Sequence, residues 1–267
     1  MKRALTLTLF VLLFGCKQTV EKADSVENTD AKTEKEEVES QYPEDFAKVL
    51  DAHGTLNQWR SKRTLSFELV KPNASEVHTV DLNSRRDRID MGDVSMGFDG
   101  TDIWLKDDQG AYTGNPAVYH NLMFYFFAMP FVFADPGINY GETPPLTYGG
   151  KEYPGIHISY DNGVGASSKD DYYLHYDPET FQMAWLGYTF TYGSDEKSEN
   201  VKWIRYDDWD GIGGVLLPRS ITWYDYEGRT IKEAKKQTSF VTISLDVSPK
   251  PDTFYQKPEN AKVVLKP

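Results

Sequence analysis

The five histidines are the side chains of this 267-residue chain that best suit metal binding or proton transfer. Their spacing contains no HExxH pair and offers no cysteine partner, although such patterns are typical of zinc sites. Three of them lie in alternating segments that favour strands, where an exposed or hydrogen-bonded histidine is the usual case. We therefore expect no metal ion and no cofactor. The five are His53, His78, His120, His157 and His175.

The other patterns that could support catalysis are incomplete. Residues 165–168 (Gly-Ala-Ser-Ser) lack the flanking glycine of a nucleophile elbow. Residues 163–165 (Gly-Val-Gly) lack the rest of a dinucleotide-binding fingerprint. Asp207, Asp208 and Asp210 lack the ligand spacing and closing glutamate of a calcium loop, so a hairpin turn is favoured there. A catalytic carboxylate pair stays open in so acidic a chain, since the separation of the two groups in space decides it.

The only cysteine, Cys16, carries the clearest chemical signal, and it leaves no internal disulfide to form. A basic start precedes an apolar run at residues 4–14, which matches a secretory signal and is too short to span a bilayer. The run ends in Leu13-Phe14-Gly15-Cys16, which is similar to a bacterial lipobox. This resemblance implies cleavage before the cysteine and a diacylglyceryl group on its thiol. We therefore predict a signal peptide at residues 1–15 and membrane anchoring through lipid on Cys16.

A charged segment follows the cysteine. Residues 16–41 contain few branched side chains and alternate Glu or Asp with Lys, so they cannot bury enough apolar surface to order themselves. We predict an acidic, disordered tether that holds a folded domain off the membrane. Because Lys17 follows the cysteine, the resemblance to sorted lipoproteins favours the outer membrane, with the leaflet left open. The net charge of −12 argues against nucleic-acid partners.

Residues 42–267 are predicted to form one β-rich domain. An amphipathic helix is expected at residues 43–60, with a break at His53-Gly54. Several later segments alternate apolar and polar residues, as Leu65, Phe67 and Leu69 do, which is typical of strands with one buried face. Short turn signals between these segments indicate an antiparallel meander.

One long aromatic stretch breaks this pattern. Residues 118–134 follow an Asn-Pro helix start at 115–116, and Pro130 is expected to end or kink the helix. The stretch is too short for a membrane span, so we predict a helix buried against the concave face of the sheet. It is either plain core or a lid over a cavity. In the second case the predicted cavity-lining residues are Trp104, Phe124, Phe127 and Phe131.

Three motifs resemble lipoprotein-localisation (LolA/LolB-like) domains. Residues 56–61 (LNQWRS) followed by the strand at 64–67 (TLSF) are similar to the opening of such domains. The strand, turn and strand at 173–180 (YLHYDPET) and the pair at 206–211 (YDDWDG) and 217–221 (LPRSI) recur in the same order. The resemblance implies a curved, unclosed antiparallel half-barrel with helices in its concave face and an apolar cavity for acyl chains. The lipobox indicates the membrane-bound, receptor-like branch.

Two departures concern the function that the resemblance implies. Residues 211–214 (GIGG) form an insertion, and the tail after Val247 is longer than usual, so a transport role is less well supported than the fold. We expect a monomeric envelope lipoprotein that binds acyl chains or another hydrophobic ligand without catalysis. An envelope hydrolase is the third choice.

A surface glycan-binding lipoprotein is the main alternative, because aromatic residues make up 14% of the chain. Aromatic rings that point into a cavity would favour lipid, whereas a coplanar exposed row would favour sugar rings. The tryptophans that could form such a row are Trp104, Trp185, Trp203, Trp209 and Trp223.

Overall fold

The computed structural model describes residues 41–72, 74–161, 168–191 and 196–265. The predicted signal peptide at residues 1–15, Cys16 and all of the predicted tether except its last residue lie outside these ranges. The glycine-rich patterns at residues 163–167 also lie outside them.

Thirteen strands of the described chain form one antiparallel sheet in the order β13-β5-β4-β3-β2-β1-β12-β11-β10-β9-β8-β7-β6. The edge strands, β13 and β6, do not pair with each other, so the sheet is unclosed. The strands are β1 (Thr64–Leu69), β2 (Glu76–Asp81), β3 (Asp87–Met91), β4 (Val94–Phe98), β5 (Ile103–Lys106), β6 (Ile138–Tyr148), β7 (Lys151–Tyr160), β8 (Tyr172–Tyr176), β9 (Met183–Tyr188), β10 (Lys202–Ile212), β11 (Val215–Glu227), β12 (Thr230–Asp246) and β13 (Lys262–Val264).

The long strand β12 joins two meanders into this sheet. Its first part pairs with β11, from Thr230 opposite Glu227 to Ser239 opposite Ser220. Its second part, from Phe240 onward, pairs with β1 instead. The predicted fold class, an unclosed antiparallel sheet with few helices, is therefore confirmed.

The helices are short, and within the described ranges none has the length and apolar character needed to cross a membrane. They are α1 (Glu44–Ala52), α2 (Leu56–Arg60), α3 (Pro116–Tyr119), α4 (Leu122–Phe127) and two 3-10 helices at Phe131–Ala134 and Asp252–Phe254.

The helix expected at residues 43–60 is two helices, separated at the predicted break. Gly54 has a φ of +97°, a conformation that L side chains rarely adopt. A Cβ atom at this position would also lie 2.3 Å from the carbonyl oxygen of Gly214, at the β10–β11 turn. The glycine thus ends α1 and lets the chain approach the sheet closely.

The stretch expected as a helix at residues 118–134, with an end or kink at Pro130, consists of three pieces. The Asn115 side chain accepts the N–H of Ala117 at 3.0 Å, so the predicted cap is present. However, α3 ends at Tyr119 and α4 ends before Pro130, and a separate 3-10 helix follows. We call residues 116–134 the aromatic segment.

The core lies between these helices and one face of the sheet, which we call the inner face. The ring of Phe127 lies 4.5 Å from that of Phe67 in β1 and 4.6 Å from that of Phe240 in β12. Ile158 of β7 belongs to the same buried cluster. Because strands from both meanders share one cluster, the sheet curves around the helices.

Candidate functional site

The structure brings together three of the four predicted cavity residues. Phe124, Phe127 and Phe131 all lie in the main core and are 2%, 0% and 1% exposed. Phe124 and Phe127 are packed on all sides, whereas Phe131 reaches the floor of a cleft that opens at the protein surface.

Trp104 lies apart from the phenylalanines. It is paired with Gly97 of β4, and its indole N–H donates to the carbonyl oxygen of Tyr255 at 3.2 Å. Since Ile103 and its neighbours alternate across the sheet, Trp104 faces the outer side, under the C-terminal segment. A Cβ atom at Gly97 would lie 2.9 Å from the indole, so the glycine makes room for it.

The cleft that reaches Phe131 lies between α2, the β2–β3 turn and the end of the aromatic segment. Its volume is about 470 Å³, within the range of small-molecule sites. We call it the α2 cleft. Its floor is apolar and its rim is mostly charged. The floor residues are Leu56, Trp59, Leu82 and Phe131, and the rim residues are Arg60, Lys62, Asn83, Arg85, Asp135 and Pro136.

Two stacked rings form the centre of the floor. The indole of Trp59 lies 4.8 Å from the ring of Phe131, with an interplanar angle of 6°. Both side chains also belong to the main core, so the floor of the α2 cleft is the outer surface of that core. An apolar ligand on this floor would extend the core rather than occupy a separate cavity.

The β2–β3 turn holds Arg85 at the rim. Asp81 accepts the backbone N–H of Asn83 at 3.1 Å and of Ser84 at 2.8 Å, which fixes the turn. Burial would raise the pKa of Asp81, but these hydrogen bonds and the nearby guanidinium of Arg63 outweigh it and lower the pKa. Arg85 itself has a φ of +60°, an uncommon backbone conformation for a non-glycine residue.

Arg85 and Asp135 form a tight ion pair at the rim. The guanidinium Nη2 lies 2.6 and 2.7 Å from the two carboxylate oxygens. Burial raises the pKa of Asp135, although Arg85 opposes the shift. The Arg85 guanidinium also lies 5.1 Å from the ring centroid of Phe124, which links the rim to the core.

Arg60 is held in place by neutral oxygens. Its Nη2 donates to the Tyr42 hydroxyl at 3.1 Å and to the carbonyl oxygen of Ala134 at 3.2 Å. Lys62, beside it on the rim, forms no ion pair with any residue that the structure describes. In all, the residues that line the α2 cleft carry three positive charges, on Arg60, Lys62 and Arg85, and one negative charge, on Asp135.

A second polar cluster lies on the inner face, beneath α3. The Nδ1 atom of His120 lies 2.7 Å from a carboxylate oxygen of Asp87, and both residues are buried. Burial raises the pKa of Asp87 to about 6, against the effect of His120. The Tyr119 hydroxyl donates to Glu76, which is 3.6 Å from His78. These contacts fasten the aromatic segment to β2 and β3.

The remaining histidines are either buried or in contact with a carboxylate. Burial lowers the pKa of His53 and of His175 to about 4, so both are neutral near pH 7. His157 lies 2.8 Å from Asp171. Among the described residues, no group of three or more His, Cys, Asp and Glu side chains is arranged to hold a metal ion.

The tryptophans do not form an exposed row. Trp104, Trp185 and Trp203 are fully buried, and the other tryptophans are at most partly exposed. Trp185 packs on the outer face against the rings of Tyr148 and Tyr224, at 4.8 and 5.0 Å. Both faces of β9 are therefore covered. This arrangement gives the glycan alternative no platform within the described ranges.

A second, larger cavity opens where β12 leaves β11. Its volume is about 720 Å³, and it lies over the apolar side chains of Ile212, Phe240 and Ile243. Its lining carries two carboxylates and one cation, since Asp210 accompanies Asp208, which lies 4.0 Å from Arg219. We call it the β11–β12 groove. It does not reach the aromatic segment, so the α2 cleft is the stronger candidate site.

Sequence reasoning missed most of the α2 cleft. Trp59 belongs to the apolar face of the predicted first helix and, with Arg60, to a family-like motif, but neither pattern indicates a ligand site, and Leu82 gives no signal. Arg85 and Asp135 are 50 residues apart, and no local pattern connects them. Phe131 is the predicted residue that this site contains.

A search among curated proteins gives no match to the chain. Among solved structures, the chain is similar to a LolA superfamily protein from Nitrosomonas europaea, with 10% identity, a TM-score of 0.47, and coverage of 76% of this chain and 96% of that chain. It is also similar to a DUF1329 family protein from Desulfovibrio piger, with 9% identity, a TM-score of 0.47, and coverage of 75% and 92%. The LolA superfamily is the one that the sequence motifs resemble.

The family relationship is clearer than these likenesses of fold. The profile of a family of unknown function, DUF6503, matches residues 2–209, which is most of the chain. The chain belongs to the DUF6503 family.

Proposed function

We propose that this chain is a lipid-anchored protein of the cell envelope that binds an acyl chain or another hydrophobic ligand without catalysis. The α2 cleft is the proposed site. The observation that carries the proposal is its floor, where Leu56, Trp59, Leu82 and Phe131 form an apolar surface continuous with the core. Sites for small molecules are usually concave and mostly apolar, with a few polar groups that orient the ligand.

The energetics of such binding are adequate. Removing one methylene group from water contributes about 0.8 kcal/mol. A chain of about ten methylenes would therefore gain about 8 kcal/mol before the cost of association. Aqueous solution at the membrane surface holds few free acyl chains, so the proposed tether would keep the site beside the bilayer that supplies them.

The anchoring part of the proposal rests on the lipobox-like sequence at Cys16. A single acyl chain holds a protein on a membrane only weakly, whereas two or more give stable attachment. The full chain produced in a bacterial host should gain the mass of lipid and fractionate with membranes. The Cys16→Ala variant should gain no lipid and should leave the membrane fraction. If both proteins fractionate alike and neither gains lipid mass, the anchoring proposal is wrong.

Ligand binding is tested by native mass spectrometry of the full chain, followed by solvent extraction and lipid analysis. Fatty acid or phospholipid at a fixed ratio is the expected result. Leu56→Glu places a charge on the floor and should reduce the bound lipid at least tenfold. Ile212→Glu is the matched control, because Ile212 is also half-buried but lines the β11–β12 groove.

Each outcome of this experiment either places the ligand in one of the two cavities or excludes ligand binding. Loss of lipid with Leu56→Glu alone, in a protein that still melts cooperatively, supports the α2 cleft. Loss with Ile212→Glu alone moves the ligand to the β11–β12 groove. A chain that carries no lipid and takes up none on addition excludes the proposed function.

A further inference from the structure

The charge of the α2 cleft runs against the charge of the whole protein. The chain has a net charge of −12, yet the cleft is lined by three cations and one carboxylate. A protein with a large negative charge repels anions in general. A local surplus of cations around an apolar floor therefore bears directly on the charge of the ligand that can bind there.

The three cations of the cleft differ in how far nearby carboxylates compensate their charges. The charge of Arg85 is matched at close range by Asp135. Arg60 bonds through Nη2 to two uncharged oxygens, and Asp135, already paired with Arg85, is close enough to feel its charge as well, so one carboxylate faces both guanidinium groups. Its Nε and Nη1 donors have no hydrogen-bond partner among the residues that the structure describes.

Lys62 supplies a second donor on the same rim. It follows Arg60 by two residues, just beyond the C-terminal end of α2, and both line the α2 cleft. Lys62 is half-buried, and within the described chain its ammonium group has no carboxylate within ion-pair distance. Ammonium and guanidinium groups are the usual protein partners of carboxylates and phosphates.

We propose that the ligand of the α2 cleft is an anionic amphiphile, with its apolar chain on the Trp59–Phe131 floor and its carboxylate or phosphate head between Arg60 and Lys62. This inference rests on the proposed function, because it adds a head group to the same hydrophobic ligand. The orientation follows from the layout of the cleft, in which the apolar residues form the floor and the charged residues form the rim.

The test uses four single-chain probes with the same twelve-carbon chain, the charged ones below their micelle concentrations and the alcohol below its solubility limit. They are dodecanoate, dodecyl phosphate, dodecanol and dodecyltrimethylammonium. Binding to the full chain is measured by titration calorimetry at low and moderate salt. The two anions should bind about tenfold or more tightly than the neutral probe, and the cation should bind most weakly. Salt should reduce this difference, because the rim charges are partly exposed.

Variants separate the rim from long-range charge. Arg60→Gln with Lys62→Gln should remove the preference for anions, so that dodecanoate and dodecyl phosphate bind no more tightly than dodecanol. Lys62→Gln alone, which breaks no side-chain hydrogen bond or ion pair with a described residue, should remove part of it. The control is Lys232→Gln with Lys235→Gln, which changes the net charge equally but lies on β12. It should leave the preference intact.

The outcomes distinguish this inference from the proposed function. Equal affinity for anionic and neutral probes overturns the anionic head while the hydrophobic site stands. No binding of any probe excludes the site itself. Binding of inorganic phosphate alone as tightly as dodecyl phosphate would overturn the amphiphile and indicate a site for free phosphate. If the two anionic probes do bind more tightly than dodecanol, the ratio of the dodecanoate affinity to the dodecyl phosphate affinity identifies the preferred head group.

Discussion

His53 is the buried group whose protonation should most clearly weaken this fold. It follows α1 directly and is fully buried. Its Nδ1–H donates to the carbonyl oxygen of Val49 at 2.8 Å, and Nε2 accepts the backbone N–H of Met183 in β9 at 3.4 Å. The imidazole also lies 4.6 Å from the indole of Trp209. A proton on Nε2 would break the contact with β9 and leave a charge in an apolar setting.

The magnitude follows from the pKa. Burial lowers the pKa of His53 from 6.5 to about 4, although the bond to Val49 opposes the shift. Between these two values the unfolded chain binds a proton that the native protein does not, so the free energy of unfolding falls as the pH falls. One pKa unit corresponds to about 1.36 kcal/mol, so the full effect is about 3 kcal/mol. Between pH 7.5 and pH 5 the loss should be about 2 kcal/mol.

The assay is urea unfolding of wild type and His53→Gln at pH 7.5 and pH 5. The variant should be less stable at pH 7.5 but should lose about 2 kcal/mol less than wild type on acidification. His175 contributes a slope of the same sign, and Asp87, with its pKa raised to about 6, contributes one of opposite sign. Both are present in each protein and cancel in the comparison.

A destabilised control separates protonation from general weakening. Phe127→Ala removes core contacts but no titratable group, so its pH dependence should equal that of wild type. If His53→Gln keeps the full pH dependence of wild type, the buried imidazole does not control the acid stability of the fold, and the reasoning is refuted.

Three further predictions concern packing and buried hydrogen bonds. Phe127→Ala should lower the free energy of unfolding by about 3–5 kcal/mol in urea titrations, because its ring is fully buried between two strands. Gly155→Ala should cost about 1–3 kcal/mol by the same measurement, since its Cβ would lie 2.4 Å from an imidazole nitrogen of β8. Gly211→Ala, where no atom lies within 4 Å, should change stability little. Tyr206→Phe should cost about 1–3 kcal/mol, because it leaves the buried carbonyl oxygen of Phe126 without its 2.8 Å hydrogen bond.

The strands and the first helix break could be predicted because their signals are local. Alternation at Leu65, Phe67 and Leu69 follows from one buried face, and all three are buried in β1. The break at His53-Gly54 was visible because glycine permits a backbone conformation that ends a helix. Each of these features depends on a few consecutive residues.

The aromatic segment is predicted as a helix that ends or kinks at Pro130, but it is also divided between Tyr119 and Leu122, where tertiary contacts outweigh helix propensity. Short helices gain most of their stability from packing. The carbonyl oxygens of Phe126 and Phe133 accept the hydroxyl groups of Tyr206 and Tyr140, at 2.8 and 2.6 Å. His120 is held by β3. Two of these contacts join residues 80 and 33 positions apart, so no local pattern reveals them.

The side of the sheet on which Trp104 lies was equally hidden. Ile103, Trp104 and Leu105 are all apolar, so alternation cannot show which face is buried against the core. The register with β4 and the contact with Tyr255 decide it. The rim of the α2 cleft could not be predicted for a related reason, because charged residues in separate turns give no spacing signal in the sequence.

The packing of the aromatic segment bears directly on where a hydrophobic ligand can lie. Phe124 and Phe127 fill the inner face, and removing the packing of one such ring costs about 3–5 kcal/mol. A chain of about ten methylenes gains about 8 kcal/mol, so displacing both rings would use nearly all of that gain before the cost of association. Binding on the Trp59–Phe131 floor leaves those rings in place. We therefore expect ligand to bind in the α2 cleft with the core closed, and the Phe127→Ala variant to weaken the fold more than it weakens ligand affinity.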